Sequence, residues 1–451
     1  MWSIKTGEQR NKTSRQEAIA FAMPESGKDE RHLYHEFTEK EWNEYKFGPK
    51  ESLEKFLDLK TGLFLHIGLS AMGKAELGWS RYTHKIPDTK HGHIPDEQYD
   101  GWAKQLRFES MNAKDWARTA RCAGMKYVVI IAKHHDGFHM WDTKFSEHKI
   151  TNAPYGKDYL KEMVEAFREE GLKIGIYFSQ RDWYHPDYEP VTQERFDACG
   201  GKPPYRMGGK PLEMTERHKK YIRYLQDAVR ELVTEYGKID YFWWDSLWWG
   251  GMFEKEMWDA EETERIIRAN QPDILINNRN SLVGDYDTPE LRLGYSRTDR
   301  AWETCMPLST GWSYRGTPPK SLKELVRLLV GCVCGGGNFL LSMGCMPDGA
   351  MAKEEKARLE ELGAFLQKYS DSIYATRACY LEGDRVNGLV RGKDAYYAHC
   401  TEGNALQFPL GGVKEVECLT GNKFEWSASP KECMIRFEPN QVPDAIFRIH
   451  T

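Results

Sequence analysis

Residues 126–136 read Lys-Tyr-Val-Val-Ile-Ile-Ala-Lys-His-His-Asp. The apolar part shows no polar alternation, which marks a strand covered on both faces, and the run then ends abruptly in charged and titratable groups. Runs of the same kind recur as GLFLHIG at 62–68, LKIGIYFS at 172–179, IDYFWWD at 239–245, DILINN at 273–278 and GNFLLSMG at 337–344. Helical patterns lie between them at 113–123, 157–170, 215–236 and 261–269, several closed by glycine. Buried strands alternating with helices predict a parallel sheet, and so many units in series favour a (β/α)8-like, TIM-type barrel over a doubly wound open sheet.

Outward from this repeat the character of the chain changes. A helix is predicted over 353–369, and from about residue 379 short alternating runs such as AYYAHC (395–400), VKEVECL (413–419) and AIFRIH (445–450) predict a small C-terminal β-sandwich. Residues 1–58 are charged and irregular apart from one short helix predicted near Glu39–Tyr45. The expected organisation is therefore an N-terminal extension capping the barrel (1–58), a barrel (59–376) and a sandwich (377–451).

Composition narrows the function. Lys+Arg 63 against Asp+Glu 68 gives a formal charge of −5 with no basic block, so a nucleic-acid partner is not expected. No signal-peptide pattern opens the chain and no run of about 18 apolar residues occurs, so no membrane partner is expected either. The ten cysteines are scattered, and the one close pair, Cys332 and Cys334, is not a CxxC; free thiols and a cytoplasmic location are the expectation. Aromatic residues make up 13% of the chain, with 15 Trp, a composition suited to stacking on sugar rings where the rings lie beside polar groups.

In a barrel the chemistry collects where strands end. The strand ends here carry His66, the run Lys133-His134-His135-Asp136, Tyr177, Asp245 and Asn277-Asn278-Arg279. Two chemistries fit. Three histidines and a carboxylate could hold a metal ion that activates water, although neighbouring histidines on a strand point to opposite faces. Alternatively, two carboxylates could act on a glycosidic bond, with Asp245, flanked by Trp243, Trp244, Trp248 and Trp249, as nucleophile. Asp285, Asp287, Glu290 and Glu303 are candidates for its acid/base partner, and spacing does not choose among them. A non-catalytic carbohydrate-binding protein is a third reading, one that has no need of a carboxylate pair.

The motifs taken together resemble glycoside hydrolase family 29, the α-L-fucosidases. The matching stretches are GLFLHIGLS (62–70), AKHHDGFHMWDTK (132–144), GLKIGIYFSQRDW (171–183), FWWDS (242–246), NNR (277–279) with GDYDTPE (284–290), and GGGNFLLSMGCMPDG (335–349), spanning roughly residues 60–376. The resemblance implies a barrel followed by a sandwich and a retaining exo-glycosidase acting on terminal α-L-fucosyl residues of oligosaccharides or glycoconjugates, without metal or cofactor. It puts the nucleophile at Asp245 and the acid/base at Glu290, with Glu303 next in line. His66, Trp79, His134, His135, Tyr177, Trp243 and Arg279 match sugar-contacting positions, and Thr310 and Trp312 complete that wall. Three departures bear on the substrate: Ile67 follows the first histidine where Trp is frequent, Gly78 stands before Trp79 where the family often has Glu, and Thr310 occupies a place often aromatic. They raise the expectation of a related L-sugar such as α-L-galactosyl. A homo-oligomer is compatible with the sequence.

Overall fold

The computed structural model describes residues 37–84, 92–189, 214–245, 255–293, 300–382, 387–439 and 441–451. Seven parallel strands form the main sheet: β1 Thr61–Leu65, β2 Tyr127–Lys133, β3 Lys173–Phe178, β4 Tyr241–Trp244, β5 Leu275–Ile276, β6 Glu303–Pro307 and β7 Asn338–Met343. Their spatial order is β5-β4-β3-β2-β1-β7-β6. Six coincide with the apolar runs of the sequence. The exception is β6, Glu-Thr-Cys-Met-Pro, which is too polar to read as a buried strand.

The gap between β5 and β6 is filled by residues 285–291. Parallel bridges join Asn277 to Tyr286 on one side, and Asp287 to Trp302 and Glu290 to Cys305 on the other. The Asp285 amide donates to the Ile276 carbonyl (2.7 Å) and the Cys305 amide to the Pro289 carbonyl (3.1 Å). Pro289 has no N–H to give, which keeps the ladder intermittent. Gly284, at φ 66°, makes the tight return into this segment; a Cβ there would lie 2.6 Å from Asn277 backbone. The segment is the irregular eighth member that closes the barrel.

The longer helices are α1 Lys50–Leu59, α2 Ala113–Cys122, α3 Tyr159–Glu169, α4 Glu216–Glu235, α5 Ala260–Asn270, α6 Leu322–Gly335 and α7 Lys353–Lys368. Asn112, Asp158, Thr215 and Ser321 cap α2, α3, α4 and α6 by accepting from the third amide of each helix. Among the described residues no helix separates β5 from 285–291 or that segment from β6. Strand positions alternate between two cores. Phe64, Tyr127, Val129, Ile131, Tyr177, Tyr241, Trp243, Leu275, Tyr286, Cys305 and Leu340 fill the barrel. Their neighbours, such as Leu63, Leu65, Val128, Ile130, Phe242, Trp244 and Leu341, pack outward against the helices. Two covered faces are why the runs carry no polar alternation.

The N-terminal part is more ordered than the sequence suggested. Besides the short helix Glu39–Glu44, α1 forms and buries Phe56, whose ring meets Tyr127, Tyr241 and Tyr286 at 5.8, 5.2 and 4.8 Å. Tyr127 and Tyr241 open their strands, so Phe56 plugs the N-terminal end of the barrel. Residues 1–36 lie outside the described residues.

From Arg377 the chain is antiparallel. Strands β8 Arg377–Glu382, β9 Asn387–Arg391, β10 Tyr396–Cys400, β11 Ala405–Phe408, β12 Glu415–Cys418, β13 Phe424–Ala428, β14 Cys433–Phe437 and β15 Ala445–His450 make sheets ordered β12-β15-β10-β9-β8 and β11-β14-β13. Leu389, Ala398, Phe408, Ile435 and Phe447 belong to a core of their own. The sandwich seats on α6, where Gly388 approaches so closely that a Cβ would sit 2.5 Å from Cys334. No helix among the described residues is long and apolar enough to cross a membrane.

Candidate active site

The same alternation that fills the barrel sets out the site. His66 stands two residues after Phe64 and Asp245 two after Trp243, each the next inward position past an interior ring. Asp245 is the first residue beyond β4 and is buried. Its Oδ2 accepts from the Tyr177 hydroxyl (2.6 Å), its Oδ1 from Arg279 Nη1 (2.9 Å), and its amide donates to Gln180 Oε1 (3.1 Å). Burial works to raise its pKa, but the Arg279 charge, the Tyr177 hydrogen bond and the positive field of Arg181 outweigh it and hold the carboxyl below its ordinary value. Arg279 is itself fixed: Nε donates to Thr288 Oγ1 (2.7 Å), Nη2 to the Thr288 carbonyl (2.9 Å), and the guanidinium lies 4.5 Å over Trp243.

Glu290 meets the same nitrogen, with Oε2 2.8 Å from Arg279 Nη1. The two carboxylate oxygens that meet on this nitrogen cannot be farther apart than the sum of their distances to it, which is compatible with the close carboxyl spacing of retaining glycosidases. Glu290 keeps partial access to solvent, its side chain 24% exposed.

The other three acidic candidates are committed elsewhere. Asp285 accepts from the Gly48 amide (2.6 Å), the Ile276 amide (2.7 Å) and Arg268 (3.0 Å). Asp287 accepts from Arg300 (2.8 Å) and Asn278 (3.0 Å). Glu303, which opens β6 inside the barrel, accepts from the Tyr127 hydroxyl and from Trp243 Nε1 (3.0 Å), and burial pushes its pKa up to about 7.

The histidines depart from the strand geometry expected of them. A register shift interrupts β2 between Ile131 and Lys133, and the strand ends at Lys133, which pairs with Asp182 at 3.0 Å. Beyond that point alternation no longer applies, so His134 and His135 both face Asp245. His134 stacks on Tyr177 (centroids 5.5 Å, 5° between planes), and His135 Nε2 lies 3.6 Å from Asp245 Oδ2. One ligand atom from each of His134, His135 and Asp245 falls within 4.8 Å of the others, close enough to hold an ion. Any cation there would share the carboxylate with the Arg279 guanidinium, which opposes it. Burial lowers His134 to about 4 and takes His66 and His135 well below their ordinary values, so all three imidazoles are neutral near pH 7.

The walls are aromatic. Trp312 tilts against His66 (5.4 Å), and Trp79 stands edge-on to His135 (5.4 Å) and Trp183 (4.9 Å). A carboxylate missing from the sequence reading appears here: Glu76 Oε1 accepts from the Trp312 amide (2.8 Å). It stands two residues before Gly78, just ahead of a 3-10 turn over Leu77–Ser80 in which Leu77 sits at φ 49°. Ile67 packs in the outer core, so its departure from the family pattern does not touch the pocket. Thr310 is exposed with its hydroxyl bonded to that of Thr317 (2.9 Å), and the structure does not bring it into the cluster. Trp248 and Trp249 lie outside the described residues.

With this geometry in place, comparison with known proteins is specific. The Alpha-L-fucosidase family model matches residues 28–371. An α-L-fucosidase of Branchiostoma floridae is 26% identical over 405 residues, covering 83% of this chain and 84% of its own, and tissue α-L-fucosidase of Rattus norvegicus is 24% identical over 429, covering 88% and 87%. Among solved structures, α-L-fucosidase isoenzyme 1 from Paenibacillus thiaminolyticus superimposes with TM-score 0.73 at 28% identity, over 89% of this chain and 99% of that one. A family 29 α-L-fucosidase from Bacteroides thetaiotaomicron, trapped as a covalent intermediate with 2-fluoro-fucosyl fluoride, shares the fold with TM-score 0.75 at 24% identity, over 90% and 97%. The chain belongs to the α-L-fucosidase family, glycoside hydrolase family 29.

Proposed function

We propose that this protein is a retaining exo-α-L-fucosidase in which Asp245 is the nucleophile and Glu290 the acid/base. The observation that carries the reading is the meeting of both carboxylates on Arg279 Nη1. Asp245 attacks the anomeric carbon as Glu290 gives its proton to the departing oxygen, leaving a glycosyl-aspartate. Glu290, now the base, takes a proton from the water that cleaves this ester and restores Asp245. Arg279 and Tyr177 keep the nucleophile anionic in a buried site, and the neutral imidazoles of His66, His134 and His135, with Trp79, Trp243 and Trp312, supply hydroxyl partners and ring faces. Residues 59–376 then form the catalytic unit, with residues 37–58 before it supplying the plug and 377–451 a supporting sandwich.

Glu290→Ala should slow natural linkages by orders of magnitude while sparing aryl fucosides with good leaving groups, with azide restoring part of the loss. Near wild-type cleavage of a natural linkage by this variant would move the acid/base elsewhere. The histidine–aspartate cluster gives the metal-dependent reading its one observation. Excess EDTA is expected to leave kcat/KM unchanged; a loss reversed by added metal would favour that reading instead. With Ile67 and Thr310 away from the cluster, fucose is the preferred sugar, and a clear preference for aryl α-L-galactoside would overturn this. The nine cysteines among the described residues are free thiols, which supports a cytoplasmic location.

A further inference from the structure

Ser342 is the next inward position of β7 after Leu340 and is fully buried. Its Oγ lies 2.7 Å from His66 Nδ1 and donates to the carbonyl of Trp312 at 3.2 Å. A hydroxyl has one hydrogen. Among the described residues no other group donates to the Trp312 carbonyl, so if Ser342 turned its hydrogen to His66, that part-buried oxygen would face lone pairs and lose its one protein donor. One arrangement satisfies every protein group here: Ser342 donates to Trp312 and His66 donates Nδ1–H to Ser342.

We infer that Ser342 is a positioning residue that fixes His66 as the Nδ1–H tautomer, so that the remaining nitrogen, Nε2, can only accept a hydrogen bond from the sugar. The inference rests on the fucosidase reading for what meets Nε2, but not for the tautomer itself. A neutral imidazole is already imposed by burial; Ser342 decides which neutral form it takes.

The device reaches further than one histidine. Trp312, whose ring walls the pocket against His66, is held at both ends of its peptide unit, its amide by Glu76 and its carbonyl by Ser342. Ser313 Oγ also donates to the Ala75 carbonyl, and a Cβ on Gly311 would come 2.3 Å from Glu76 Oε2, so this loop is pressed onto the β1 loop. Wall position and proton position are therefore set through one hydroxyl. His134 offers a contrast: among the described residues its buried Nδ1 has no hydrogen-bond partner, so none of them locks it in the same way.

The test is long-range 1H–15N correlation of the 15N-labelled protein at pH 7 without sugar, with His66 assigned by the signal lost in His66→Gln. The expected spectrum shows His66 with Nδ1 protonated and Nε2 bare. Ser342→Ala should lose that preference and lower kcat/KM on an aryl α-L-fucoside on the order of tenfold, and Ser342→Thr, which keeps a hydroxyl, should restore both. A wild-type His66 carrying its proton on Nε2, or on both nitrogens, overturns the inference, as does a Ser342→Ala spectrum with the tautomer unchanged. Should Ser342→Ala fail to fold, the wild-type spectrum still decides. A protein with the expected tautomer but no action on fucosides would overturn the proposed function and leave the tautomer assignment standing.

Discussion

Asp245 shows how a carboxylate can stay ionised among rings. Desolvation by itself would raise its pKa, and the outcome is decided by Arg279 at 2.9 Å and the Tyr177 hydroxyl at 2.6 Å, which bring it below the ordinary carboxylate range. The sign for activity follows: the anion persists below the pH at which a free aspartate gains its proton, and catalysis is lost only as pH falls through the depressed value. Tyr177→Phe removes one of the groups that lower it. The acid limb of kcat/KM should then move to higher pH, on the order of one unit, and an unmoved limb would show that the hydroxyl does not tune the nucleophile. At this scale the sequence was informative where inward alternation operates, as at His66, Tyr177 and Asp245. It was uninformative about contacts made by loops: Glu76, two positions before Gly78, reaches the Trp312 amide, and the apposition of His134 and His135 depends on where β2 stops.

Among elements, the segment 285–291 matters most, because it closes the barrel and carries Glu290. Nothing in Asp-Tyr-Asp-Thr-Pro-Glu reads as a strand: three acids and a proline conceal it, and its pairing depends on partners distant in sequence. Its first acid works as an anchor, since Asp285 binds the Gly48 amide, the Ile276 amide and Arg268, joining the N-terminal segment, β5 and α5. Asp285→Ala would leave the partly buried Arg268 with a weaker set of partners and two amides without acceptors. Unfolding free energy should fall by about 3 kcal/mol, seen as a lowered Tm. The same substitution should reduce turnover of natural linkages more than of activated aryl fucosides, because it displaces Glu290, the proposed acid/base, and leaves Asp245, the proposed nucleophile, in place. Equal losses on both would mean that the anchor stabilises the fold without positioning Glu290. The polar strand β6 was concealed for a similar reason: its inward Glu303 is tolerated only because Tyr127 and Trp243 donate to it.

For the molecule as a whole, the barrel, its plug and the sandwich are joined by specific contacts. Arg377 pairs with Glu54 (2.8 Å) and Asp58 (2.6 Å), linking the first sandwich strand to α1. His399, fully buried, spans from Asp444 (2.6 Å) to the Ser372 carbonyl (3.1 Å). The architecture was legible in the sequence because two-faced burial leaves an unbroken apolar signature in six strands and antiparallel strands leave an alternating one. The manner of closure and the N-terminal plug were not, since both depend on tertiary partners that local pattern does not encode.

The central claim is that Asp245 forms the covalent bond to the sugar. Incubating the protein with 2-fluoro-fucosyl fluoride and mapping the adduct by peptide mass spectrometry tests it directly. The account predicts one fluorofucosyl group per chain on the peptide containing Asp245, absent from Asp245→Asn. Turnover of an aryl fucoside with no adduct, or an adduct on another residue, would contradict it.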